Sequence, residues 1–382
     1  MTKKYVSLLL VIMLPTLLLT GCWDYHDINM TNISISTGVD IVNGQIEYTG
    51  EVAKIAPAQA KGNENGGGGI GVYNFYAYGK DLEQARAAFD AGVPYPHFLG
   101  AARAVIFSTS YAKQSIAPYL HRIAQINDYR KTILPVISRD HPAELFKLKV
   151  ESDISVAFLI EDMMSSLTKQ GKAIYPTVGH LLSDDDIKTI GELIPYVGIE
   201  EGSIKYLGLA VLKNLKMVGT INLKDTSGVV YLLAKKPSIT ENLPGIENKN
   251  NTFSLLTSLK KRTFNTDYVD GKLIINIDMN FDATLNYQYY TESTDEKKLK
   301  VLEDLVAQSI QGKIIKIIAM SQKEFDCDFI GFAKYFRAQH PLIYRKINWE
   351  ESYRNADFFV NIQVNIHNLN LADPNARTLY FK

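Results

Sequence analysis

Cysteine is nearly absent: 382 residues contain two, Cys22 and Cys327. Two thiols exclude the multi-disulfide framework that staples small secreted domains. Histidine is sparse too. The seven (His26, His97, His121, His141, His180, His340 and His367) are scattered, with no His-x-x-x-His pair and none beside Cys327. No zinc site and no Cys–His nucleophile can be drawn from such a set. Cys327 therefore reads as a small packed thiol, and His97, in a Pro/aromatic stretch, as a packed or capping group. No Gly-x-Ser-x-Gly elbow occurs, which removes one common hydrolase signature. Neither sign of charge is in excess, since Lys plus Arg and Asp plus Glu both number 41. The basic signature of nucleic-acid binding is thus missing. After Cys22 no apolar run is long enough to span a bilayer, which takes roughly 20 residues. Nothing calls for a cofactor, and no residue is assigned a catalytic role.

What is present starts at the N-terminus. Lys3 and Lys4 precede an almost wholly apolar run from Val6 to Leu19, and Leu19-Thr20-Gly21-Cys22 closes it. A basic head, a short apolar middle and a small residue before cysteine form a bacterial lipoprotein signal, cleaved between Gly21 and Cys22. The run is too short for a spanning helix, and Pro15 weakens one. Acylation of Cys22 would supply the two or more chains that stable anchoring requires, at about 0.8 kcal/mol per buried methylene. Removing residues 1–21 leaves 361 residues with 39 basic and 41 acidic side chains, a net charge of −2.

Along the body, Ile33 to Ile55 reads as a hairpin turning at Asn43-Gly44, because a type I′ turn needs positive φ at both central positions. Asn63 to Gly71 is Gly-rich but lacks the Lys-Ser/Thr of a phosphate loop. It reads as a flexible connection. From Val72 to Leu148 strands and helices alternate, which predicts a sheet with helices packed on it. Ser155 to Gln170 reads as a helix with Leu159 and Met163 on its apolar face, and Ser183 as the N-cap of a helix opened by Asp184 to Asp186. A second hairpin turns at Lys213-Asn214, a short helix covers Asp225 to Leu233, and Lys235 to Asn251 reads as a connector. Towards the C-terminus, Leu273, Ile275, Ile277, Met279 and Phe281 alternate with Asn276, Asp278, Asn280 and Asp282, so one sheet face is apolar and one is wet. A polar segment with Ser293 and Thr294 caps a long helix from Glu296 to Met320. Leu299, Leu302, Val306, Ile310, Ile314 and Ile317 form its stripe. Phe329 to Ala338 is a further helix, and Phe358 to His367 alternates as a final strand. The predicted class is α+β, with mixed or antiparallel sheets each packed with helices.

These blocks, in order, resemble the Ger(x)C spore germination lipoproteins. The resemblance is carried by GCWDYHDI and ISTGVD after the signal, by His97 to Ile123 followed by YRKTILPVIS, by Tyr206 to Leu233, and by Asp328 to Trp349 (DFIGFAKYFRAQHPLIYRKINW). The chain departs from the family's usual pattern at Tyr95-Pro96-His97, where Phe-Gly-His is usual, and at Asn127-Asp128-Tyr129-Arg130, where an Arg-Asp pair is usual. It also lacks the usual Gly between His367 and Pro374. The resemblance implies three α+β domains in series: an N-terminal region at 22–200, a middle hairpin domain at about 201–250 and a sheet-plus-long-helix domain at about 251–382. It further implies a non-catalytic C subunit of a nutrient germinant receptor, lipid-anchored on the outer face of the inner spore membrane beside an A subunit and a transporter-like B subunit. Cys22 is the one functional residue it carries over. The competing readings are a solute-binding lipoprotein that feeds a transporter, which would need two similar lobes around a cleft, and an envelope hydrolase.

Overall fold

The computed structural model describes residues 30–54, 71–126, 129–185, 190–290 and 295–368. Gly21, Cys22, most of the Gly-rich connection, Asn127, Asp128, Ser293 and Thr294 lie outside those residues. The fold is α+β and is organised on two sheets.

The first sheet contains β1 (Asn32–Val42), β2 (Gln45–Lys54), β3 (Gly71–Gly79), β4 (His97–Phe98), β5 (Ala104–Ser108), β6 (Leu134–Ser138), β7 (Glu192–Glu200), β8 (Ser203–Lys213) and β9 (Lys216–Asn222). Their order is β3-β2-β1-β5-β6-β7-β8-β9, with β4 beside the start of β1. The centre, β1-β5-β6-β7, is parallel, and both flanks are antiparallel hairpins. Every residue of β5 (AVIFS) and β6 (LPVIS) is buried, as a parallel sheet covered on both faces demands. The predicted Asn43-Gly44 turn is present, with φ of 51° and 77°. The second hairpin turns at Asn214-Leu215, and here a leucine holds φ of 57°. That left-handed geometry costs a non-glycine residue roughly 1 kcal/mol or more. It is offset because Leu215 is buried in the core and its carbonyl accepts from Ile116 N at 2.9 Å.

Among the described residues six helices flank this sheet: α1 (Leu82–Asp90), α2 (Thr109–Gln114), α3 (Ala117–Gln125), α4 (Pro142–Leu145), α5 (Val156–Lys169) and α6 (Val178–Asp185). One core packs α1, α2, α3 and α6 on one face through Phe89, Tyr111, Tyr119, Leu120, Ile123 and Leu181. The other face carries α4 and α5, and its core runs on without a break into the second sheet. One local expectation is corrected. Ser183 lies in the last turn of α6 rather than at a helix start, so charge at that point does not mark an N-terminus. On α5 the fully buried residues are Val156, Ala157, Ile160 and Met164, while Leu159 and Met163 sit half-buried beside them.

The second sheet is β10 (Ser238–Pro244), β11 (Thr252–Val269), β12 (Lys272–Gln288) and β13 (Asp357–Asn368), in that order. The segment read as a connector therefore contains an edge strand, β10; Pro237 and Pro244 fall just outside it and at its last residue, where the missing N–H is tolerated. The hairpin expected as a middle domain forms no sheet of its own, because β8 pairs along β7 and extends the first sheet. In the second sheet β10, β11 and β12 are antiparallel, but β12 and β13 are parallel. A parallel pair needs a crossover. It is made by α8 (Glu296–Ala319), a π-helical turn at Met320–Glu324, α9 (Phe332–Gln339), α10 (Pro341–Tyr344) and α11 (Trp349–Arg354), with α7 (Thr226–Leu233) on the link between the sheets. Asp295 caps α8 through Lys298 N.

The apolar face reads as expected: Leu273, Ile275, Ile277, Met279 and Phe281 are buried. They meet Leu302, Val306, Ile310, Ile314 and Ile317 of α8, each such burial contributing about 1.5–3 kcal/mol. Helix α8 also covers the outer edge of β13. Gln311 Nε2 donates to Val360 O at 2.6 Å, and Ile366 N donates to Glu303 Oε1 at 2.9 Å, which removes template positions for another strand. Helix α7 crosses α8 at Gly228, where a Cβ would stand 2.5 Å from Lys313 O. Among the described residues no helix is long and apolar enough to cross a membrane. The close crossing is testable. Gly228→Ala should lower the stability of the chain in denaturant unfolding by about 1–3 kcal/mol, and an unchanged midpoint would mean that the helices do not cross at that distance.

Candidate functional site

The described histidines do not converge. His340 Nε2 lies 2.7 Å from Thr266 O, His367 Nε2 2.6 Å from Asp282 Oδ1, and His141 Nδ1 2.5 Å from the buried Asp40 Oδ2. Among the described residues no group of three or more His, Cys, Asp or Glu could hold a metal. Cys327 is buried, and burial pushes its thiol up to about 12. The wet face of the second sheet is paired within itself, through Asn361 to Asp278 and through His367 and Lys260 to Asp282.

Polar chemistry concentrates instead on carboxylates taken out of water, none of which the sequence singled out as functional. Asp328 is 2% exposed, and its oxygens accept from Gly331 N at 2.9 Å, Phe332 N at 3.0 Å and Ala333 N at 2.8 Å. These are donors at the start of α9, which otherwise lack partners. Gly331 has φ of 82°, a left-handed position that glycine occupies without a Cβ penalty. The Asp-Phe-Ile-Gly-Phe block is thus a capping device. It is also a junction. Asp328 O accepts from Gly191 N at 3.1 Å, and Cys327 Sγ occupies the place of a Cβ on Gly191. Asp326 accepts from Lys213 Nζ at the end of β8 and, through both oxygens, from Arg354 of α11 at 2.7 and 2.8 Å. Burial raises Asp328 to about 6 against the opposing pull of its three backbone donors.

Two further carboxylates act alike. Glu51, 1% exposed on β2, accepts from Val156 N at 2.8 Å and Ala157 N at 3.1 Å, the first amides of α5, and from Ser36 Oγ at 3.0 Å. Glu241 on β10 is gripped by Lys313 Nζ at 2.6 Å, Ser309 Oγ at 2.6 Å and Tyr231 Oη at 2.7 Å, which fastens α7 and α8 to that edge. A clue was present in the chain: Glu47, Thr49 and Glu51 fall on one face of β2, all buried, and an acid on a core-facing position needs a built partner.

Beneath α1 and α3 lies a different polar cluster. His97 packs against Phe89, Phe75 and Tyr48 with ring centroids 4.7, 5.5 and 6.2 Å away, and among the described residues neither ring nitrogen has a hydrogen-bond partner. Burial, with the charges of Arg86 and Arg122, lowers it to about 3, so it stays neutral. Tyr119 Oη bonds Thr37 Oγ1 at 2.7 Å and Tyr129 Oη at 3.2 Å. Tyr95-Pro96-His97 is held to β1 by Asn32 N donating to Pro96 O at 2.9 Å. Arg122 is buried alongside, and a concavity of about 810 Å³ opens next to it.

Residues 24–199 match the family model described as the spore germination protein N-terminal domain, and residues 207–370 the one described as spore germination B3/GerAC like, C-terminal. The chain is 22% identical over 383 residues to the putative spore germination protein YfkR of Bacillus subtilis (strain 168), covering 94% of this chain and 95% of that one. It is 20% identical over 378 residues to spore germination protein B3 of the same organism, covering 96% and 98%. To spore germination protein A3 it is 23% identical over 380 residues, covering 93% and 96%. The solved GerBC protein shares the fold, with a TM-score of 0.58 at 16% identity over 87% of this chain and 97% of that one.

Two outcomes test the buried groups. Asp328→Ala leaves three α9 amides without an acceptor and should cost about 2–4 kcal/mol in unfolding free energy; a loss too small to measure would remove the capping role. His97 has the opposite pH signature from a partnered histidine. Its depressed folded value means that its contribution is complete above about 6.5 and is lost as pH falls towards 3, because the unfolded chain takes up the proton. Stability measured from pH 7 to pH 4 should therefore fall more steeply in the native protein than in His97→Phe, by up to about 1.4 kcal/mol per pH unit. Parallel curves would mean that His97 takes up its proton as readily in the fold as in the unfolded chain.

Proposed function

The chain belongs to the Ger(x)C, GerAC-like family of spore germination proteins, and from that membership we propose that it is the lipid-anchored C subunit of a nutrient germinant receptor. The observation that carries the reading is the extent of the family match. Both family domains are present in order, and the first begins at residue 24, two residues past Cys22. In this reading residues 1–21 are removed and Cys22 is acylated. The body then rests on the outer face of the inner spore membrane, where it assembles with the A and B subunits. Its work is to hold a receptor together rather than to turn over a substrate. Three buried carboxylates support this, since Glu51, Glu241 and Asp328 are each committed to backbone amides or to a lysine, serine or tyrosine of another element.

The anchor is tested by replacing Cys22 with Ala in spores. The variant chain should fold but leave the membrane fraction, and nutrient-triggered germination through its receptor should be lost. Continued retention in the membrane fraction would mean that Cys22 is not the anchor.

A further inference from the structure

Arg122 is a buried cation whose donors are left without acceptors. Its side chain is 6% exposed, and among the described residues Nε, Nη1 and Nη2 are all without a hydrogen-bond partner. A guanidinium keeps its charge at any ordinary pH and offers five donors. A buried cation without acceptors is costly enough that folds rarely leave one. Among the described residues the groups packed behind it supply no carboxylate. His97 is neutral, and burial holds the phenols of Tyr48 and Tyr119 well above their usual range. The nearest countercharge is Glu83, whose Oε1 lies 2.9 Å from Nε, out of line for a hydrogen bond, on a side chain that is 70% exposed. An ion pair with so exposed a partner contributes little, so Glu83 is readily displaced.

The space for a displacing group is adjacent. The concavity of about 810 Å³ is lined by both Glu83 and Arg122, by apolar surface from Ile46, Leu82, Tyr111 and Ile126, and by further polar side chains. It lies between the start of α1 and the α2–α3 pair. One wall exists because Gly79 lets β3 run under α1, where a Cβ would stand 2.2 Å from Ala85 N. That volume falls in the range of small-molecule sites, which pair apolar walls with a few placed polar groups.

We propose that this concavity is a binding site for a small monocarboxylate with an apolar body, whose carboxylate replaces Glu83 on Arg122. The planar fork of arginine matches the two oxygens of a carboxylate. Charge selects a single negative group. The charged lining side chains are Lys80, Asp81, Glu83 and Arg122. They sum to zero with Glu83 in place and to one positive charge when it swings out. A dianion would overcompensate. The site does not depend on which subunits the chain joins, so its failure and the failure of the receptor reading are separate results.

Isothermal titration of the full-length protein in detergent micelles tests it, with benzoate as probe and benzamide and inorganic phosphate as controls. Benzoate should bind the native protein. Glu83→Gln removes the internal competitor and should tighten benzoate about tenfold, while Arg122→Gln should weaken it by about tenfold or more. Benzamide should respond to neither change. Glu83→Gln lies on the surface and keeps the test open if the Arg122 variant fails to fold. The proposal is overturned by equal benzoate affinity in Arg122→Gln, by unchanged or weaker affinity in Glu83→Gln, by phosphate binding more tightly than benzoate, or by no benzoate heat in either the native protein or Glu83→Gln at millimolar concentration.

Discussion

A carboxylate buried at Asp328 fixes how the two sheets of this protein meet. Desolvation opposes its charge, and three amides at the start of α9 offset that cost. With the cap in place, its own carbonyl is aimed at Gly191 N, the neighbouring Cys327 fills the space against Gly191, and Asp326 receives Lys213 and Arg354. Residues 326–328 thereby tie the strand run β7–β8 to helices α9 and α11. The apolar core follows the same route and passes from the first sheet to α8 and the second without interruption. The chain is therefore built as one body in which charge sets the joint and apolar burial supplies most of the driving force.

Much of this architecture was legible because it depends on period and turn chemistry. The alternation from Leu273 to Phe281, the stripe from Leu302 to Ile317 on α8, and the Asn43-Gly44 turn all appear where local pattern places them. Pairing between distant segments was not legible. Nothing local in Phe358 to His367 says that β13 runs parallel to β12, or that the β8–β9 hairpin continues the first sheet through β7. The strand β10 was hidden by its flanking prolines, Pro237 and Pro244, which mark a connector and an edge strand alike. Ser183 and its acids resembled a helix start, yet α6 ends there.

The candidate sites divide in the same way. Asp328 to Trp349 stood out in the sequence as a block, but its physical meaning needs the fold, since the donors that Asp328 satisfies come from a helix it only enters three residues later. Cys327 was readable as a packed thiol, and its burial agrees. Arg122 and His97 were not readable as a pair. They are 25 residues apart, and their proximity follows from α3 packing, through Tyr119 on Thr37 and Phe107, on the face of the first sheet where His97 also lies. A buried guanidinium short of hydrogen-bond acceptors next to a concavity is a relation among three elements, and no single stretch of sequence holds it.

A scaffold reading makes one demand that outranks the rest: the chain must be found with partners in the spore membrane. The most direct measurement is purification of an epitope-tagged chain from dormant-spore membranes in mild detergent, with the accompanying proteins identified and quantified by mass spectrometry. Recovery of an A-type and a B-type membrane subunit in near-equal amounts is expected. A tagged chain that is recovered alone, or from the soluble fraction, would contradict the account.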